Sequence, residues 1–295
     1  MLAEILGSLV FVSAVLGSSV PGPGSNSSGP LYPALAAGMA AVGLGHCFGE
    51  ISGAQVNPAV TLALLATRRL DTLRAVVYVI AQCLGATLGA GMLYLVLPLK
   101  STAEVFVNKV PIEVNAGQAL GTEMLATFQL VFTIFSVEDQ RRREGSEPGN
   151  LAIGCSLSAG IFTAGRISGG SMNPARSLGP AIIVGFWEHH WVSQSCKFSH
   201  NFYYICEWPS FLYFIHLHSF FTTQVYWIGP VLGAVLAGVS HDFFFAPTTS
   251  RQKLVACLTC KDIEIVETAS VSRSSLSTVT QTAMRAKQTN KLEHN

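Results

Sequence analysis

Asn57-Pro58-Ala59 recurs as Asn173-Pro174-Ala175, 116 residues further along the chain. An asparagine amide carries two N–H donors and one carbonyl acceptor. With proline next, at the first helical position, each asparagine is placed to cap a helix with its carbonyl and turn its NH₂ group outward. A glutamate precedes each copy inside an apolar stretch, Glu4 by 53 residues and Glu123 by 50. A carboxylate there can accept two or three backbone N–H groups that a loop inside protein leaves unpaired; a proton relay is the competing reading. Arg176 falls in the first turn after the second copy. An arginine at membrane depth is costly, which makes it a functional candidate by default.

The elements around these residues form two matching sets. The chain has 295 residues, 49% apolar and 12% charged, about half the charge of an ordinary soluble domain. Long apolar segments are read at about 5–20, 33–49, 75–98, 119–137, 150–164 and 226–246, and short ones at Pro58–Thr67 and Pro174–Gly185. The short ones cannot cross a bilayer, but they can enter it halfway where their ends are buried in protein or line water. Each repeat is thus two spans, a half-helix and a third span. An odd span number gives the two repeats opposite orientation. The half-helices then enter from opposite sides, and Asn57 and Asn173 meet at one lumen. The expected fold class is an all-α membrane protein of six transmembrane helices and two half-helices in an inverted repeat.

Charge placement sets the orientation. Arg68, Arg69 and Arg74, and then Arg141, Arg142 and Arg143, mark two loops as cytoplasmic, and with them both termini. The loop 21–32 lacks Lys and Arg and carries the sequon Asn26-Ser27-Ser28, a candidate N-glycosylation site, which suits an extracellular loop. From about 248 the chain is polar and rich in Ser and Thr, and reads as a disordered cytoplasmic tail, 248–295. It holds Cys257 and Cys260, too few ligands for a zinc site, and Arg273-Ser274-Ser275, a common phosphorylation pattern. The net charge of +1 gives no nucleic-acid footprint. No phosphate loop, nucleophile triad or metal-ligand cluster is present in the sequence, so neither enzyme activity, nor cofactor, nor metal is expected.

Two Asn-Pro-Ala motifs with lead-ins Ile51-Ser52-Gly53-Ala54-Gln55-Val56 and Ile167-Ser168-Gly169-Gly170-Ser171-Met172 resemble the aquaporin (major intrinsic protein) family over roughly residues 2–247. The resemblance implies a channel domain at 1–247, with repeat 1 at about 1–98 and repeat 2 at about 119–247. It also implies a homotetramer in the plasma membrane and water with small neutral solutes as the permeants. On this reading the asparagine donors hold a passing water by its oxygen. That water turns both hydrogens to its neighbours and cannot accept a proton, so the proton wire is broken. The half-helix N-termini, each worth about half a positive charge, repel cations at the same spot.

By the same resemblance, Arg176 is the arginine of the selectivity filter. Counting back from each asparagine, the other filter positions are Ala37, Ile161 and Gly170. The family's water-specific pattern has Phe and His at the first two. Ala and Ile widen the ring and remove a polar partner, so glycerol, urea, ammonia and hydrogen peroxide join water as candidates. Downstream, Ser177, Ala181, Tyr226 and Trp227 keep the water-type pattern. Glu50 stands where relatives usually have His or another residue, near the inner mouth; Arg166 is unusual in the outer lead-in, and His46 is read as a packing or mouth residue. Glycines 38, 43, 45, 85, 89, 91, 154 and 160 are expected at helix crossings. Two alternatives remain: a structural or junctional membrane protein of the same fold with a closed pore, and an ion-coupled transporter, which lacks a titrating midplane site.

Residues 192–224 interrupt the resemblance. Relatives run from Trp-Val directly into the sixth span, whereas here Trp191 and Tyr226 are separated by 33 additional residues before Val225. A seventh span would invert the last helix. The segment is read as a spacer retained from an untranslated region: Val192-Ser193 can be encoded GTG-AGT, a splice-donor string, and Gln224 can be CAG, an acceptor end. The alternative is a genuine extracellular insertion.

Overall fold

In this computed structural model, residues 1–21, 29–97, 105–139, 149–185 and 224–245 are described. All regular structure among them is helical. In chain order the helices are α1 (Leu2–Ser19), α2 (Leu31–Ser52), α3 (Pro58–Ala66), α4 (Thr72–Val96), α5 (Ala116–Val137), α6 (Gly149–Ala164), α7 (Pro174–Val184) and α8 (Gln224–Ser240). The chain divides into two compact units, Met1–Val239 and Ser240–Asn295. The described part of the second begins with a π-helical turn, His241–Phe245.

Composition and length sort these helices. Leu2–Ser19, Leu31–Ser52, Thr72–Val96, Ala116–Val137 and Val225–Phe245 are long and apolar enough to cross a membrane. Gly149–Ala164, expected as a full span, has 16 residues, roughly 24 Å at 1.5 Å each. The half-helices α3 and α7 have 9 and 11 residues, about 14 and 16 Å. Polar N-caps set several starts: Asp71 Oδ1 accepts from the Arg74 amide at 3.0 Å, and Asn115 with Gln118 forms a capping box on α5.

The repeat is visible in the packing. Gly38 and Gly154 each lie 19 residues before their asparagine, and they face one another where α2 crosses α6. A Cβ on Gly38 would stand 2.6 Å from the Gly154 carbonyl oxygen, and one on Gly154 would stand 2.5 Å from the Gly38 oxygen. A contact between equivalent residues is what a two-fold axis relating the halves requires. The second pair is α1 with α4 and α5 with α8. A Cβ on Gly85 would sit 2.2 Å from the oxygen of Ile5, the residue after Glu4. A Cβ on Gly233 would sit 2.1 Å from the oxygen of Met124, the residue after Glu123. Any side chain at either glycine would push the helices apart. Gly43, expected at a crossing, has open space around its Cβ position. The core joins both repeats through Val12, Leu16, Ala59, Ala63, Val131, Phe135 and Met172, among others. Large apolar side chains on the outer faces, such as Leu6, Met39, Ile80, Leu88, Leu125 and Leu232, are exposed.

Candidate functional site

Each half-helix starts from an asparagine with extended backbone, Asn57 at φ −152°, ψ 116° and Asn173 at φ −145°, ψ 107°. Asn57 Oδ1 accepts from the Ala59 amide at 2.9 Å; Asn173 Oδ1 accepts from Ala175 at 3.0 Å and Arg176 at 3.2 Å. The side-chain nitrogens reach across the axis. Asn57 Nδ2 donates to the Met172 carbonyl and Asn173 Nδ2 donates to the Val56 carbonyl, both at 2.8 Å. Each amide has two N–H groups, so one remains per side chain; the sequence reading left the whole NH₂ group for the lumen. Both asparagines line one cavity of about 710 Å³.

Val56 and Met172 occupy the left-handed region at φ 49° and 52°. For a β-branched valine this is a strained conformation, of the order of 1–3 kcal/mol. The buried carboxylates hold it. Glu4 Oε2 accepts from the Val56 amide at 2.8 Å, and Glu123 Oε2 from the Met172 amide at 2.7 Å. Each carboxylate therefore grips the peptide unit whose neighbouring carbonyl receives the opposite asparagine. Glu4 also accepts from Ser52 Oγ at 2.6 Å, the Gln55 amide at 3.1 Å and Gln82 Nε2 at 2.8 Å. Glu123 accepts from Ser168 Oγ at 2.6 Å and the Ser171 amide at 2.8 Å. Both side chains are fully buried. Saturation with donors is what a structural carboxylate requires and leaves little acceptor capacity for a proton relay.

Arg176 is 8% exposed. Its Nη1 donates to Asn108 Oδ1, and Glu123 supplies an opposite charge that acts on it through the interior. Asn108 Oδ1 also accepts from Ser177 Oγ at 3.1 Å, and Ser177 Oγ pairs with Ser171 Oγ. Sequence reasoning missed Asn108. It lies outside both half-helix motifs, 68 residues before Arg176. Its only sequence signal was an asparagine in a segment flanked by Val107 and Val110, which is no signal of a site. Gly169 at φ 86° belongs to the same cluster: a Cβ there would meet Asn108 Nδ2 at 2.7 Å.

Of the remaining filter candidates, Ala37, Ile161 and Gly170 are all buried. Gly170 adjoins Ile161: at φ 60°, a Cβ would come within 3.2 Å of the Ile161 Cα. Gly170 is therefore fixed by backbone conformation and space together. Glu50 is exposed and lines the 710 Å³ cavity. His46 is exposed, its Nδ1 2.9 Å from the Val42 oxygen and 3.2 Å from Asn150 Nδ2. Arg166 is exposed. Asn26, the segment 192–223, the arginines 141–143 and the tail from 246 lie outside the described residues. No group of three or more potential metal ligands occurs among the described residues.

Two opposed half-helices, capped by reciprocally clamped asparagines and opening on one cavity in an apolar helical bundle, define a membrane protein with a two-fold repeated pore site. Comparison with known proteins names the class. The chain matches the major intrinsic protein family over residues 1–195 and belongs to that family. It is 39% identical to aquaporin-4 of Bos taurus over 254 residues, covering 85% of this chain and 68% of the relative. It is 36% identical to human aquaporin-5 over 248 residues, covering 84% and 81%. Among solved structures, an aquaglyceroporin from Plasmodium falciparum shares the fold at a TM-score of 0.66 and 20% identity, covering 83% of this chain and 96% of the other.

Proposed function

We propose that this protein is a passive membrane channel for water and small neutral solutes that excludes protons and ions. The observation that carries this reading is the reciprocal clamp of Asn57 and Asn173 beside one cavity. With one N–H of each amide engaged across the axis, one donor from each repeat is left for a permeant oxygen. A water held by both has its lone pairs occupied and its hydrogens directed along the file, so it passes no proton. Two half-helix N-termini add positive potential at that point without a titrating group. Membership in the major intrinsic protein family supports a channel over an enzyme.

The constriction is assigned to Ala37, Ile161, Gly170 and Arg176. All four are buried, and two of them lack the bulk and polarity of a water-specific ring. Arg176 supplies donors to the permeant and charge against cations, and Asn108 holds it. Ala37 and Ile161 admit glycerol, urea, ammonia and hydrogen peroxide. Asn26 is assigned to an extracellular loop, with both termini cytoplasmic. The outward apolar faces suit lipid and a homotetrameric contact in the plasma membrane. Residues 192–224 are assigned to a retained spacer within the 1–247 channel domain. The family match stopping at 195 supports this, as does the burial of Val225, the residue that would rejoin Trp191.

The test is stopped-flow light scattering on vesicles carrying the full chain, and separately the chain without 192–224, with water, glycerol, urea and ammonia gradients. Permeability to water and at least one solute above that of empty vesicles is expected. Inserted protein with no permeability in either form would favour a closed-pore structural role. Sequencing mature transcripts across the junction tests the spacer: most messages carrying 192–224 would establish a genuine insertion.

A further inference from the structure

We propose that the 710 Å³ cavity beside the asparagines is a binding site for a small organic ammonium ion with an apolar body. Its volume is that of a site for a whole organic molecule, far more than single-file water needs. The deep wall is apolar, with Phe11, Leu44, Val60, Leu130, Ile134 and Leu157. The charged residues of its lining are Glu50, Arg69 and Glu138, one positive and two negative. Arg69 is already occupied: its Nη1 lies 3.9 Å from Glu138, and its guanidinium stands 4.1 Å over the Phe135 ring. Glu50 makes no ion pair or hydrogen bond with the described residues. It is also shared with a second cavity of about 320 Å³, so it stands at the junction of the two.

The field inside the cavity runs one way. The half-helix N-termini make the asparagine end positive, and with Glu138 offset by Arg69 the uncompensated negative charge of the lining is Glu50. A cation is repelled from the throat and held at Glu50. An apolar body attached to it is free to fill the deep wall. A small anion has the reverse preference and would be drawn to the throat, where the wall offers it no cation. The occupant is therefore oriented, charge outward and hydrocarbon inward, and it obstructs the cavity. The obstruction rests on the channel reading above; the binding does not.

The two are separated by measuring both. The full-length protein in nanodiscs of neutral lipid is titrated calorimetrically with benzyltrimethylammonium, benzenesulfonate and benzyl alcohol. Binding of the ammonium, with the sulfonate and the alcohol at least tenfold weaker, is expected. Glu50→Gln weakens ammonium binding about fivefold, the worth of one solvent-accessible charge contact. Ala41→Phe, which fills the same cavity, removes binding while Glu50 is kept. Vesicles with ammonium on both sides should lose water permeability at the concentrations that saturate binding. Sulfonate bound as tightly as ammonium, undiminished ammonium binding in Glu50→Gln, or no binding to correctly folded protein overturns the site. Binding without any water permeability in untreated vesicles would leave the site standing and contradict the channel instead.

Discussion

The two half-helix lead-ins are built to one plan and finished differently. In both, a buried glutamate accepts from a serine hydroxyl and from backbone amides, a positive-φ residue offers its carbonyl across the axis, and an asparagine caps the helix. In both, the residue four after the asparagine bonds to the side chain two before it: Thr61 Oγ1 donates to Gln55 Oε1 at 2.7 Å, and Ser177 pairs with Ser171. The difference lies in the third partner. In repeat 1, Gln82 on α4 closes the network by donating to Glu4 and to Thr61 at 2.8 and 2.9 Å. The equivalent place in repeat 2, three residues before Gly233, is Pro230, which has no side-chain donor. There the outside partner is Asn108, and it turns to Arg176 and Ser177 instead of the carboxylate. Position +3 from the asparagine is Val60 in one repeat and Arg176 in the other. One lead-in is thus a closed hydrogen-bond network around a carboxylate, with no cation in it. Its twin carries a cation as well, Arg176, held by Asn108.

The largest effect is expected where the shared plan is removed. Glu123→Ala leaves three buried donors without an acceptor, at about 1–3 kcal/mol each, and also strands Arg176. Folded protein recovered in detergent should fall severalfold. Glu4→Ala leaves four donors but strands no cation; because an uncompensated buried charge costs more than one further donor, it should fall less, as read by size-exclusion yield and thermal melting. Equal losses would mean the two lead-ins do not differ in the way described. Next comes Arg176→Ala, which removes the one asymmetric charge. Urea or glycerol permeability should rise and a cation leak should appear, measured by solute-gradient stopped flow and by vesicle conductance. Val60→Ala should leave both unchanged.

Ala37→Phe with Ile161→His narrows the constriction, and glycerol and urea permeability should drop about tenfold or more while water persists. Undiminished solute uptake would place the constriction elsewhere. Asn108→Ala frees Arg176 to move, so water permeability should change modestly, with selectivity intermediate between the parent and Arg176→Ala. Asn108→Asp, which keeps the acceptor oxygen but sets a negative charge beside Arg176, should hold the arginine in place and weaken cation exclusion. The smallest effect belongs to Gln82→Leu. It gives Glu4 the three-donor environment that Glu123 already has, and should lower the stability of the purified protein by about 1 kcal/mol without altering selectivity.

Much of this was legible in residue order because it repeats. The two Asn-Pro-Ala copies, the glutamates ahead of them and the proline starts mark both half-helices, and the observed helices begin at Pro58 and Pro174. The glycines at Gly38, Gly85 and Gly154 were legible as crossings, although Gly43 shows that glycine content alone does not locate one. Hidden from the sequence were the contacts made by backbone. Nothing in the side-chain pattern says that Asn57 donates to the carbonyl of residue 172, because every residue has a carbonyl. Asn108 and Gln82 were hidden for a related reason. Each is a lone polar residue far along the chain from its partner, and neither recurs in the other repeat. The filter candidates Ala37, Ile161 and Gly170 rest on counting from the asparagines.

The central claim is that opposed half-helix ends meet at a neutral throat which passes water and breaks the proton wire. Vesicles carrying the protein and an entrapped pH dye can be given an osmotic step and a pH step in parallel. Fast osmotic shrinkage with proton flux no greater than in empty vesicles is predicted. Proton flux rising in proportion to the water flux would contradict it.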